Sequence, residues 1–265
     1  MNYLKKKINL FGFIFFISSL LILIPTNKKN KKNDKLIGIS FGPTGGLFAY
    51  SLGISKYLQE KFILNNLIFA GISGGVQSCI ILSLDIPVDI AFNNWLIPLV
   101  KEIEGNFFLN IIPPWNMLDI SRKYLGKSLE PYDLSKLNGK FYAGITKIFP
   151  YPHNYSECYW KNDFNDLYNG LQASQYIPFI SGYPTCFFRK CMCIDGYLTK
   201  KRFEPINGKW IHINPFKWTK KNAICGIMAI SNVGDINFHL NQYKIGYNDA
   251  KKNHNYFIER GLIEK

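Results

Sequence analysis

The stretch LIFAGISGGVQSCIILSL, residues 67–84, decides how the rest of the chain is read. An apolar run ends at Gly71. Ser73 then stands among Gly71, Gly74 and Gly75, and Val76, Cys79, Ile80 and Leu84 follow at helical spacing. Gly71-Ile72-Ser73-Gly74-Gly75 fits G-x-S-x-G between a strand and a helix. In such an elbow the serine occupies a sharp, strained turn that lifts its Oγ to the strand's carboxyl end. Side chains two residues to either side would collide with neighbouring backbone, so Gly71 and Gly75 are expected there. The turn also aims a helix N-terminus at the reacting atom, where backbone N–H groups favour negative charge. A glycine-rich tight turn with a capping serine is the plainer reading of the same residues.

Upstream, LIGISF (36–41) is an apolar run without helical period, hence a buried strand. GPTGG (42–46) follows, and Leu47, Tyr50, Ile54 and Leu58 recur at helical spacing. Strand, helix, strand, helix argues for an α/β fold with a mainly parallel sheet and crossover helices. KFYAGITKIF (140–149) and RKCMCID (189–195) read as further strands, AICGIMAIS (223–231) as a weaker one, and the C-terminus as helical.

The second glycine cluster, Gly42 to Gly46, exposes a run of backbone N–H groups at a helix start, a setting that holds phosphate or an oxyanion. It lacks the Lys of a phosphate loop and the G-x-G-x-x-G of a dinucleotide site. A nucleophile turn beside a donor turn makes an acyl-transfer site. The base must come from elsewhere. A Ser…Asp…His order, with Ser73, Asp195 and His212 or His239, is possible, but none of the four His lies at a strand end or in a glycine-rich context. Asp195 does: CIDGY ends a strand and turns at Gly196, where a carboxylate could take the serine proton directly.

Composition bounds the function. The 265 residues are 47% hydrophobic, enough for a sizeable core. Eight Lys and one Asp in residues 1–35 supply half of the net charge of +14. No nucleic-acid motif accompanies the mild basicity of the rest, so an anionic membrane surface is the expected partner and nucleic acid is not. INLFGFIFFISSLLILIP (8–25) is 18 residues without a charge, flanked by Lys. As a helix it would span about 27 Å, close to a bilayer core, so residues 1–35 read as a transmembrane anchor with a basic linker, a cleaved signal peptide being the rival. Cys186, Cys191 and Cys193 have no partner set that completes a metal site and read as free thiols on a strand.

ISFGPTGGLFAYSLGISKYL (39–58), AGISGG (70–75), GLQASQYIP (170–178) and CIDGY (193–197) together resemble the patatin-like phospholipases. The resemblance runs from about Leu36 to Leu262, and YKIGYNDAKKN (243–253) is similar to the tail of the family's animal triglyceride-lipase branch. It implies a three-layer α/β/α sandwich over residues 36–265, after the anchor. It implies a Ser73–Asp195 dyad and an oxyanion hole from Thr44, Gly45, Gly46 and Gly74. No metal or cofactor is implied, and the substrate would be a membrane lipid or acylglycerol ester. The sequence departs from the family in two places. Pro43 and Phe48 interrupt the glycine loop, and Pro43 has no N–H to give. Tyr197 stands third in the Asp-Gly motif, where it would narrow the site or touch the acyl chain. FFLNIIPPWNML (107–118) is a candidate lipid-facing flap. A membrane-anchored serine lipid acylhydrolase is the leading reading. A non-catalytic patatin-like fold that binds lipid or a protein partner, and a phosphate- or nucleotide-binding α/β domain, are the alternatives.

Overall fold

The computed structural model describes residues 36–105, 115–179, 181–200, 202–219, 226 and 229–265. The anchor expected at 8–25 and most of the flap expected at 107–118 lie outside them. Among the described residues no helix is long and apolar enough to cross a membrane.

The chain is a mixed α/β fold. In order it forms β1 (Ile37–Phe41), α1 (Phe48–Lys61), β2 (Ile68–Ile72), α2 (Gly75–Ser83) and α3 (Val88–Ala91). A π-helical turn, Phe92–Leu96, leads into α4 (Ile97–Gly105), and α5 (Trp115–Leu129) follows. Next come β3 (Phe141–Lys147), β4 (His153–Glu157), α6 (Phe164–Ser174), β5 (Cys186–Phe188) and β6 (Cys191–Asp195). The chain closes with β7 (Lys209–Ile213), α7 (Pro215–Trp218), α8 (Ile236–Lys252) and α9 (His254–Glu259). The strand expected over 223–231 falls largely outside the described residues, and its described end, Ala229–Asn232, is a 3-10 turn.

Seven strands form one sheet in the order β5-β6-β3-β2-β1-β7, with β4 also paired to β3. β7, β1, β2 and β3 run parallel. The pairings of β4, β5 and β6 are antiparallel, so the sheet is mixed rather than mainly parallel. The register explains how the ends meet. Ile72 of β2 lies opposite Gly144 of β3, and β4 runs along the other edge of the same β3 residues. Ile145 of β3 pairs with Asp195 of β6 while also pairing with β4, so β6 shares the β3 edge that β2 uses. β2 therefore runs out at Ile72 and β6 meets it head to head, coming from the opposite direction.

Period-two alternation sends Ile39, Phe41, Phe69, Phe141, Ala143, Ile145, Ile211 and Ile213 to one face. There they join the buried residues of α1, α2 and α6 in the main core. α8 covers α1; an added Cβ at Gly53 or Gly246 would run into the facing helix backbone, so the two axes can approach closely. The opposite face is thinner. Ala70, Ile72 and Trp210 pack there with Phe203, joined by Ile68, Tyr142, Tyr197 and Ile206, and among the described residues no α-helix contributes to that cluster.

A half-buried cation clamps the antiparallel side. Arg189, in the turn between β5 and β6, holds Glu157 of β4 at 2.6 Å and Asp166 of α6 at 2.7 Å, and donates to the Tyr159 carbonyl at 2.6 Å. Arg189 and Lys190 both have positive φ, as a two-residue hairpin turn requires.

Candidate active site

Ser73 follows β2 with φ 53°, a left-handed conformation rare outside glycine. Holding a non-glycine residue there costs about 1–2 kcal/mol, which the packed surroundings must offset. The neighbouring glycines are sterically demanded. A Cβ on Gly71 would stand 2.7 Å from the Val76 amide nitrogen, and one on Gly75 would stand 2.5 Å from the Gly42 carbonyl oxygen. Gly74 caps α2, so the first turn of that helix points its N–H groups toward the serine.

The head-to-head meeting of β2 and β6 brings Asp195 to Ser73. The Ser73 hydroxyl stands close enough to the Asp195 carboxylate to favour its charged form, and both residues are buried. The Asp195 carboxylate also accepts the Tyr197 N–H at 2.8 Å. Burial pushes the Asp195 carboxyl up to about 6, while the neighbouring Ser73 hydroxyl and the Tyr197 N–H pull it back down. That places the group near the range useful to a general base.

The end of α6 and the loop that follows it support both residues. The Ser73 N–H donates to the Ser174 carbonyl and to Ser174 Oγ, each at 3.2 Å, and Ser174 Oγ–H donates to the Gly144 carbonyl at 2.7 Å. Two residues on, the Tyr176 carbonyl accepts the Asp195 N–H at 2.8 Å. Gln175 holds Gln77 of α2 at 3.1 Å. Site reasoning from the residues alone passed over Ser174 and Gln77. The ASQYIP run quoted for the family resemblance contains Ser174, and that is the signal that could have singled it out.

The glycine loop lies against the elbow: a side chain on Gly74 would run into Thr44 Oγ1, and the Gly42 carbonyl sits over Gly75. The four expected oxyanion donors are not equivalent. Gly46 N–H donates to the Gly226 carbonyl at 2.9 Å, so it is already committed and leaves the donor set. The N–H groups of Thr44, Gly45 and Gly74 have no partner among the described residues. Gly45 has φ 54°, and a Cβ there would strike Gly226.

Ser73, Gly45, Gly46 and Gly74 border a cavity of about 50 Å³, walled by Phe48, Trp95, Leu99, Leu118 and Val233. Tyr197 does not line it. Its ring lies with Ile72 and Phe203 on the other face of the sheet, because the turn after Asp195 carries it there. No histidine bonds to the pair among the described residues. His212 is held by Glu204 at 2.7 Å, His239 Nε2 by the Val233 carbonyl at 2.9 Å, His254 by Tyr57 and Glu264, and His153 by the Tyr151 carbonyl. The free thiols Cys186, Cys191 and Cys193 lie on the β5–β6 hairpin, with Cys186 Sγ donating to the Cys193 carbonyl at 3.5 Å.

No family model matches the chain. No curated protein sequence matches it. Among solved structures it is similar to VipD from Legionella pneumophila, at TM-score 0.43 and 13% identity over 74% of this chain. The chain spans 56% of VipD, and a likeness that loose carries neither a fold nor a functional assignment.

Proposed function

We propose that residues 36–265 form a patatin-like serine acylhydrolase acting on fatty-acyl esters of membrane lipids or acylglycerols. The observation that carries the reading is Ser73, strained at the end of β2 beside a buried carboxylate whose affinity for a proton is raised. Asp195 takes the hydroxyl proton as Oγ attacks the ester carbonyl. The carbonyl electron pair moves to oxygen and is held by N–H groups from Thr44, Gly45 and Gly74. As the tetrahedral centre collapses, the ester C–O bond breaks and Asp195 returns its proton to the departing alcohol. Water, deprotonated by Asp195, then cleaves the acyl-enzyme.

Two features favour a lipid substrate. The 18-residue uncharged run at 8–25 would hold the site at a bilayer. Phe149 and Tyr151, on the turn after β3, and Phe187 and Met192, paired across the β5–β6 hairpin, are exposed beyond the carboxyl end of β3, the end at which Ser73 sits. The finer fold reading, a three-layer sandwich, rests on the sequence motifs, since among the described residues the cluster on the second face has no α-helical member.

The non-catalytic alternative draws on the cavity: at about 50 Å³ it is far too small for an acyl chain as it stands, and Gly46 N–H is turned away from it. A fluorophosphonate probe separates the readings. The enzyme should be labelled at Ser73, lose labelling as Ser73→Ala, and release fatty acid from mixed membrane lipids. A folded protein that neither labels nor releases fatty acid would be the lipid- or partner-binding fold.

A further inference from the structure

We propose that the cavity behind the dyad, on the thinly covered face of the sheet, binds a phosphate-class dianion that carries an apolar or ring-shaped body. The cavity measures about 720 Å³, within the range of small-molecule sites and much larger than the one at Ser73. Its floor is the carboxyl end of β1 and β7, at Ser40, Gly42 and His212. These positions face away from the main core, so the cavity is separate from the cleft at Ser73.

The charge of the walls is one-sided. Arg202, Lys217 and Arg260 line the cavity. Arg202 bonds Glu204 at 2.9 Å, and the same carboxylate oxygen holds His212 Nε2 at 2.7 Å. Lys217 and Arg260 have no carboxylate partner among the described residues. Three cations against one carboxylate leave about two positive charges, the complement of a dianion. The Arg260 guanidinium stands 5.4 Å over the Tyr256 ring, which steadies a flat fork suited to phosphate oxygens. Trp218, Tyr256 and Phe203 add apolar and aromatic surface, which bare phosphate would leave unused.

His212 reports on this field. Burial pushes its imidazole down to about 4, with Arg202 and Arg260 adding to the effect, and Glu204 only partly reverses it. An anion seated among those arginines would cancel part of the positive field and move the titration up.

The ligand chemistry has two sources, a phospholipid headgroup or a soluble phosphate ester. The test uses the full chain carrying Ser73→Ala, so that no turnover at the dyad disturbs binding. The probes are inorganic phosphate, phenyl phosphate and short-chain phosphatidic acid below its micellar concentration. Calorimetry should show phenyl phosphate binding more tightly than inorganic phosphate. The Lys217→Gln, Arg260→Gln double variant, altered only at two exposed side chains, should bind at least tenfold more weakly at unchanged Tm. The His212 ring resonances should titrate at higher pH when phenyl phosphate saturates the protein. Tighter binding of phosphatidic acid than of phenyl phosphate identifies a lipid source, and the reverse a soluble one. Absence of binding by all three probes, equal affinity in the double variant, or an unmoved His212 titration would each overturn the proposal.

Discussion

Ser73 and Asp195 are each held in a state that costs folding energy, one in backbone strain and the other in burial of a carboxyl. The second cost has a pH signature. With its folded value raised from 3.8 to about 6, Asp195 binds a proton in the native state where the unfolded chain has released it. The stability from this group is full below pH ~4 and is lost as pH rises through about 6. The shift corresponds to about 2–3 kcal/mol above that range. Asp195→Asn keeps the shape and removes the charge, so at pH 8 its Tm should exceed that of the parent protein. Hydrolysis should meanwhile fall by about 10²–10⁴, the worth of a positioned general base. In the parent, turnover should decline as pH drops through about 6, where Asp195 takes up its proton. Asp195→Asn with full activity would remove the base from the mechanism, and a single His variant as inactive as Ser73→Ala would replace the dyad with a triad.

At the scale of elements, the end of α6 and the loop after it turn two strand ends into a site. Ser174 ties β3 to the elbow through Gly144 and Ser73, and Tyr176 ties the loop to β6 through Asp195. Ser174→Ala removes one acceptor for Ser73 N–H and leaves the buried Gly144 carbonyl without this donor. A loss of about 1–3 kcal/mol is expected in denaturant unfolding. Turnover should drop by about tenfold with Ser73 still open to a fluorophosphonate, because the nucleophile remains but is less well aimed. Unchanged stability and unchanged kcat together would mean that Ser174 does not position the serine.

Across the whole molecule, the parallel strands and their helices carry the nucleophile, while the antiparallel strands carry the base. The two parts must stay in register for the pair to meet. Arg189 is the clamp on the antiparallel part, joining β4, α6 and the β5–β6 turn through Glu157 and Asp166. Arg189→Ala leaves Glu157, only 3% exposed, without its cation, which should cost about 3–5 kcal/mol. Pairing Arg189→Met with Glu157→Gln should recover part of that loss, since the buried Glu157 charge is then gone and only Asp166 is left without its cation. Thermal unfolding of the two variants checks both statements, and a stable Arg189→Ala protein would show that the clamp is dispensable.

The sequence by itself determined what local chemistry controls. Glycine spacing around Ser73 and at 42–46 dictates tight βα turns, because the backbone path leaves no room for a Cβ at Gly71, Gly75 and Gly45. Helical spacing at Leu47–Leu58 and Val76–Leu84 marked α1 and α2 as helices, while their burial on nearly every side comes from the elements packed around them. The strand-ending Asp195-Gly196 was legible for the same local reason. Tertiary structure alone decided what depends on distant partners. β4 is mostly polar and half-buried, with no apolar alternation to announce it. β7 alternates Trp210 and His212 with Ile211 and Ile213, yet its place beside β1 comes from packing across more than 160 residues of chain. The same holds for the commitment of Gly46 N–H to Gly226, the turn of Tyr197 to the far face, and the partners that occupy each histidine. Above all, β6 meets β2 end to end because β3 offers one edge to both, and strand register is settled by neighbours rather than by the strand's own residues.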